Sequence, residues 1–147
     1  MKYVKLFENF RTFYHGSKDP LPIGTILKPH KDSYTKDILA KELEDILEKY
    51  RPTDKLSRFD SVYITDDMDL IDPSGGYIDY IYSVEPIGDV EKSDLAWYTE
   101  VNLTNDPVKQ KEYSENYWSG IKHPDSYISC FEYRCIGAKI IELVEEN

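Results

Sequence analysis

The stretch Gly75-Gly76-Tyr77-Ile78-Asp79-Tyr80-Ile81-Tyr82-Ser83-Val84 decides how the chain is read. Its two glycines make a turn. The residues from Tyr77 to Val84 then alternate as a β-strand does, with Ile78, Tyr80, Tyr82 and Val84 on one side. Working outward, Ser61 to Thr65 reads as another strand, and so does Thr12-Phe13-Tyr14-His15, closed by Gly16. Residues 127–134 and 136–144 read as two more, with Gly137 near their junction. Helical spacing occurs in two places. Residues 35–50 set Ile38, Leu39, Leu43, Ile46, Leu47 and Tyr50 on one face, and Pro52 ends the run. Asp106-Pro107 opens a second helix: Asp caps it, Pro fits its first turn, Tyr113 and Tyr117 share a face, and Gly120 closes it. Residues 17–33 are irregular, because Pro20, Pro22, Gly24 and Pro29 break any period. Strands that are not separated by regular helices predict an α+β domain rather than a doubly wound sheet.

A chain of 147 residues fits one domain. Thirteen of them are tyrosines, so much of the apolar area carries a hydroxyl and suits a cleft with one dry wall and one wet end. Lys and Arg total 18 against 28 Asp and Glu, a formal charge of −10. That charge weighs against nucleic acid as a partner, since binding along a phosphate backbone relies on cationic side chains. No apolar stretch approaches the roughly 20 residues needed to span a bilayer. The opening MKYVKLFENF lacks the apolar core of a signal peptide, so a cytoplasmic location without membrane contact is expected. That opening also resembles the start of many tailed-phage proteins, and its Val4, Phe7 and Phe10 form a short apolar stripe. Cys130 and Cys135 lie an odd number of residues apart. On one strand they would point to opposite faces, so both read as small core residues and not as a disulfide.

Several chemistries are excluded by spacing. Asp66, Asp67, Asp69 and Asp72 do not form a calcium loop, because Ile71 takes a ligand position and the required Gly is missing. His15, His30 and His123 lack paired metal-ligand spacing. No phosphate loop, dinucleotide fingerprint or nucleophile elbow is present, so any use of NAD is not through a Rossmann domain.

The segment Phe13-Tyr14-His15-Gly16-Ser17 sets a histidine at a strand end beside a residue with no side chain. Alone it is as readily structural. Val62-Tyr63-Ile64-Thr65 adds an aromatic on a second strand. Tyr80-Ile81-Tyr82-Ser83-Val84-Glu85-Pro86-Ile87-Gly88 follows, then Glu100-Val101-Asn102-Leu103-Thr104-Asn105, then Ser126-Tyr127 and Glu132-Tyr133-Arg134-Cys135-Ile136-Gly137. Taken in order across residues 13–141, these blocks resemble the rifamycin ADP-ribosyltransferases.

That resemblance implies a split β-sheet sandwich with an NAD cleft, NAD as substrate and no metal. It implies that His15 hydrogen-bonds the ribose, that Gly16 lets backbone approach the nicotinamide amide, and that Tyr63 stacks on the ring, with Ser17 and Thr65 beside them. It assigns the catalytic acid to Glu100; Glu85 and Glu132 stay open as alternatives. Such a trio suits the chemistry. Breaking the nicotinamide–ribose bond leaves an oxocarbenium-like centre, which a fixed carboxylate stabilises, while the other two groups orient the substrate. The acceptor stays open, with a protein or small molecule favoured over nucleic acid. Two other readings stand beside it: an NAD glycohydrolase, and a non-catalytic interaction module that keeps the fold.

Overall fold

Strand β4 (Tyr80–Ile87) forms the spine of the protein in a computed structural model that describes residues 11–29 and 38–147, the side chains of 38–40 excepted. The stripe of Val4, Phe7 and Phe10, His30, residues 35–37 of the expected first helix and the side chains of Ile38 and Leu39 lie outside the described residues. The strand begins after Asp79, so Ile78 is an exposed residue of the approach and not part of the strand's apolar side. Ile81, Tyr82, Ser83 and Val84 are all buried, so both faces of β4 are covered.

On one side β4 pairs antiparallel with β1 (Phe13–Ser17), aligning His15 with Tyr82. On the other it pairs with β7 (Gly137–Glu146), with two irregularities of register that let the long strand bend. A short β2 (Ile26–Leu27), inside the stretch expected to be irregular, completes a sheet of order β1-β4-β7-β2. The second sheet has the order β3-β6-β5, built from β3 (Val62–Ile64), β5 (Glu91–Asp94) and β6 (Phe131–Cys135). Only Ile136 separates β6 from β7, so the chain passes from one sheet to the other within a single residue. The sheets meet again where Tyr14 and Thr65 exchange backbone hydrogen bonds of 2.7 and 3.0 Å.

Between the sheets lies an apolar core that takes Phe13, Tyr82, Val84 and Ile140 from one and Val62, Ile64, Tyr133 and Cys135 from the other. A second core belongs to three helices, α1 (Ile38–Lys49), α2 (Leu95–Leu103) and α3 (Pro107–Ser119), and contains Leu43, Leu47, Trp97, Val101, Tyr117 and Trp118. The fold is therefore α+β with two antiparallel sheets.

Helix α3 ends as its sequence requires. Asp106 accepts from Val108 N at its start, and Gly120 closes it at φ 74°. Strand β5 and helix α2 occupy a stretch to which the sequence assigned no element. Asp94 ends the strand and caps the helix by accepting from Ala96 N, while Trp97 and Val101, one turn apart, face the helical core. Cys135 is fully buried and both cysteines are free, so no disulfide links them. Asp67 caps the short turn Met68–Leu70, and among the described residues no group of side chains could hold a metal ion. No described helix is long and apolar enough to cross a membrane.

Candidate functional site

A cavity of about 530 Å³ opens where the two sheets meet. Strand β1 supplies His15, Gly16 and Ser17, strand β3 supplies Tyr63 with Thr65 just beyond it, and strand β6 supplies Glu132. The loop Ser74-Gly75-Gly76-Tyr77 lines it as well, and Arg58 lies in the wall.

His15 and Tyr63 are adjacent. His15 Nδ1 lies 2.8 Å from the Tyr63 carbonyl and must donate to it, which puts the lone pair of a neutral ring on Nε2. The Tyr63 hydroxyl donates to the Arg58 carbonyl at 2.9 Å, and the Arg58 guanidinium sits 5.2 Å from the Tyr63 ring centre. Ser17 spends its hydroxyl on the Asp19 carbonyl at 2.7 Å, holding the turn after β1. Thr65 is buried and bonds to the Asp67 backbone as well as to Tyr14. Both line the cavity while serving its framework.

Gly16 has a reason within the fold itself. A Cβ there would sit 1.8 Å from the Tyr77 carbonyl oxygen and 2.8 Å from Ile71 Cγ2. The close approach that glycine permits is that of the chain's own loop.

The expected acid is elsewhere. Glu100 rides on α2, with Oε1 3.9 Å from His123 Nε2, and is not among the residues lining the cavity. The block Glu100-Val101-Asn102 folds as helix because Asp94 caps it and because Trp97 and Val101, four residues apart, are buried in the helical core. Glu85 is exposed on β4 and does not line the cavity either. Of the three expected acids the one that lines it is Glu132, only 5% exposed; the exposed Asp19 lines it too.

Glu132 stands in a buried ionic network. Its Oε1 accepts from Arg58 Nη1 and from the Tyr117 hydroxyl, and Arg134 Nη1 lies 3.5 Å away. No hydrogen bond to Oε2 occurs among the described residues. Arg58 Nε reaches across to Glu44 of α1, at 2.8 Å to Oε2 and 3.1 Å to Oε1. Arg134 Nη1 also bonds Ser93 Oγ and Tyr117 Oη, each at 2.8 Å. Its Nε and Nη2 are buried with no hydrogen-bond partner among the described residues, and the guanidinium lies 5.0 Å from the Trp118 ring centre. Two guanidinium groups and two carboxylates thus balance inside the protein, as buried charges must.

The network moves the proton affinities of its neighbours. Burial pushes the Glu44 carboxyl up, against the pull of Arg58. Burial, with Glu44 adding to it, pushes the Tyr98 hydroxyl up to about 12. Tyr117 is raised further by complete burial and remains a donor at any physiological pH.

Alternation along β6 was visible in the sequence. Glu132 and Arg134 fall on one side, Tyr133 and Cys135 on the other. What the sequence does not display is that Arg58, from an unremarked turn, joins the first pair to α1. No protein-family model matches the chain, and no curated protein matches it in sequence.

Proposed function

We propose that this chain is an NAD-dependent ADP-ribosyltransferase with a split-sheet sandwich fold, in which Glu132 rather than Glu100 serves as the acid. One observation carries the reading: His15, Tyr63 and Glu132, from three strands and both sheets, line a single cavity. Its volume is within the range of small-molecule sites.

In this reading the Tyr63 ring forms the wall against which the nicotinamide lies, and His15 Nε2 accepts from a ribose hydroxyl. Glu132 offers Oε2 to the sugar while Oε1 stays engaged with its donors. When the nicotinamide–ribose bond breaks, its electron pair goes to the pyridinium nitrogen and neutral nicotinamide leaves. Positive charge then develops at the ribose carbon, and the fixed carboxylate stabilises it. An acceptor nucleophile forms the new bond to that carbon and gives up its proton. With water in that place the products are ADP-ribose and a proton. The chain's net charge of −10 favours a protein or small-molecule acceptor over nucleic acid.

The approach of Tyr77 to Gly16 favours a second reading, an interaction module, because the chain's own loop meets the backbone that a nicotinamide amide would use. Incubation with NAD carrying labelled adenylate separates the readings. Nicotinamide release with label on a second molecule supports transfer. Release with all label as free ADP-ribose makes the chain a glycohydrolase. Neither binding nor consumption of NAD leaves the module.

A further inference from the structure

Arg58, which the sequence did not single out, joins several parts of the site. It is 6% exposed, comes from the short turn Arg58–Asp60, and bonds Glu44 of α1, Glu132 of β6 and Tyr117 of α3. Its guanidinium lies near three tyrosine rings, Tyr63 at 5.2 Å, Tyr98 at 4.9 Å and Tyr117 at 5.5 Å. Its backbone carbonyl accepts the Tyr63 hydroxyl.

A flexible glutamate with both oxygens solvated would sample several rotamers, and its charge would be spread over them. Here one oxygen is pinned. A guanidinium suits this task because its planar fork can hold two carboxylates in fixed directions, whereas an ammonium is a point charge without that geometry.

We propose that Arg58 is the positioning residue of this site: it holds Oε1 of Glu132 so that Oε2 faces the cavity beside Tyr63. The proposal rests on the reading of Glu132 as the acid, and Arg58 acts through that carboxylate without joining the bond-breaking step. Glu44 is the counterion that holds the far side of the guanidinium.

Arg58→Lys tests this directly. Nicotinamide release should fall by about a hundredfold in kcat, the scale at which ångström misplacement acts, with KM for NAD within about threefold. In a Glu132→Gln background the same change should lower kcat no further, because the carboxylate it positions is gone. A general structural defect would lower both backgrounds equally, and that result overturns the proposal. Where Arg58→Lys does not fold, Arg58→Met with Glu44→Leu replaces the pair by apolar side chains, a kind of exchange that proteins often tolerate. It should show the same loss and the same dependence on Glu132.

A readout without NAD keeps the two claims separate. The side-chain carboxyl carbon of Glu132, identified by its disappearance in Glu132→Gln, should give a resonance displaced from those of the exposed glutamates. In Arg58→Lys, or in the double variant, it should move toward them. An unmoved resonance overturns the role of Arg58 whatever the activity. A displaced resonance in a chain that never releases nicotinamide keeps Arg58 as the anchor of Glu132 and removes only the enzymatic reading.

Discussion

Tyr133 and Cys135 of β6 face the apolar core between the sheets, whereas Glu132 and Arg134, on the same strand, face the helices through a buried ionic network. The apolar face gains from every ångström of surface it buries. The charged face must first strip water from four ions, and their pairing recovers that cost only when the geometry is good. A protein that needed the helices only to cover its sheet would be served by leucines there. The carboxylate, the two arginines and Tyr117 instead hold one oxygen atom in place at a cavity. The contrast between the faces is therefore one between stability and positioning, and it can be tested on each.

The largest expected effect is on the charged side. Arg58→Ala strands Glu44 and Glu132 without their shared partner and should cost about 3–5 kcal/mol of unfolding free energy in urea. On the apolar side, Ile140→Ala removes a fully buried side chain between the sheets and should cost about 3 kcal/mol. If the order were reversed, the network would be loose and solvated, and the contrast would fail.

Asp94 sharpens the comparison with a charge that stabilises. Burial alone would raise its carboxyl, but Ser129 Oγ and the backbone N–H groups of His123, Ala96 and Cys130 outweigh that and hold it below its usual value. A carboxyl lowered on folding adds stability above its unfolded pKa and loses it as pH falls through the folded one. Glu44 runs the other way. Its carboxyl is raised, so stability declines as pH rises from its unfolded value toward its folded one. Asp94→Asn should therefore cost about 2 kcal/mol at neutral pH. The deficit should shrink once pH falls below the carboxylate range near about 4, where the parent loses its own charge. A deficit independent of pH would show that the carboxyl's shape, and not its charge, organises the joint.

Much of the framework was legible because local chemistry agreed with tertiary structure. Pro107 and Gly120 bracket α3, and Leu43 and Leu47 mark the buried face of α1. Tyr82 and Val84 alternate toward the core. Tyr63 and His15 lie together as the block order suggested, their strands joined through the Tyr14–Thr65 bridge. The cavity's carboxylate was less legible, although Glu132 stood as an alternative to Glu100. Glu100 sits in a segment whose cap, Asp94, is indistinguishable in sequence from the other acidic residues around it. The ion pairs among Glu44, Arg58 and Glu132 join residues far apart in the chain, and no periodicity records that. Strand β2 is two residues long, too short for any alternation to appear.

The smallest expected effect falls on Glu100. It is a half-buried surface residue whose carboxylate lies 3.9 Å from His123, and Glu100→Gln should shift stability by no more than about 0.5 kcal/mol. The same substitution supplies the control for the central claim, that Glu132 is the acid of an NAD-cleaving site. The measurement is nicotinamide release from NAD by the parent, Glu132→Gln and Glu100→Gln, with NAD affinity measured alongside. Glu132→Gln should lose about 3 kcal/mol of transition-state stabilisation, a drop of roughly a hundredfold in kcat, with affinity within a few-fold of the parent. Glu100→Gln should match the parent. The opposite pattern, full activity in Glu132→Gln and loss in Glu100→Gln, would contradict the account.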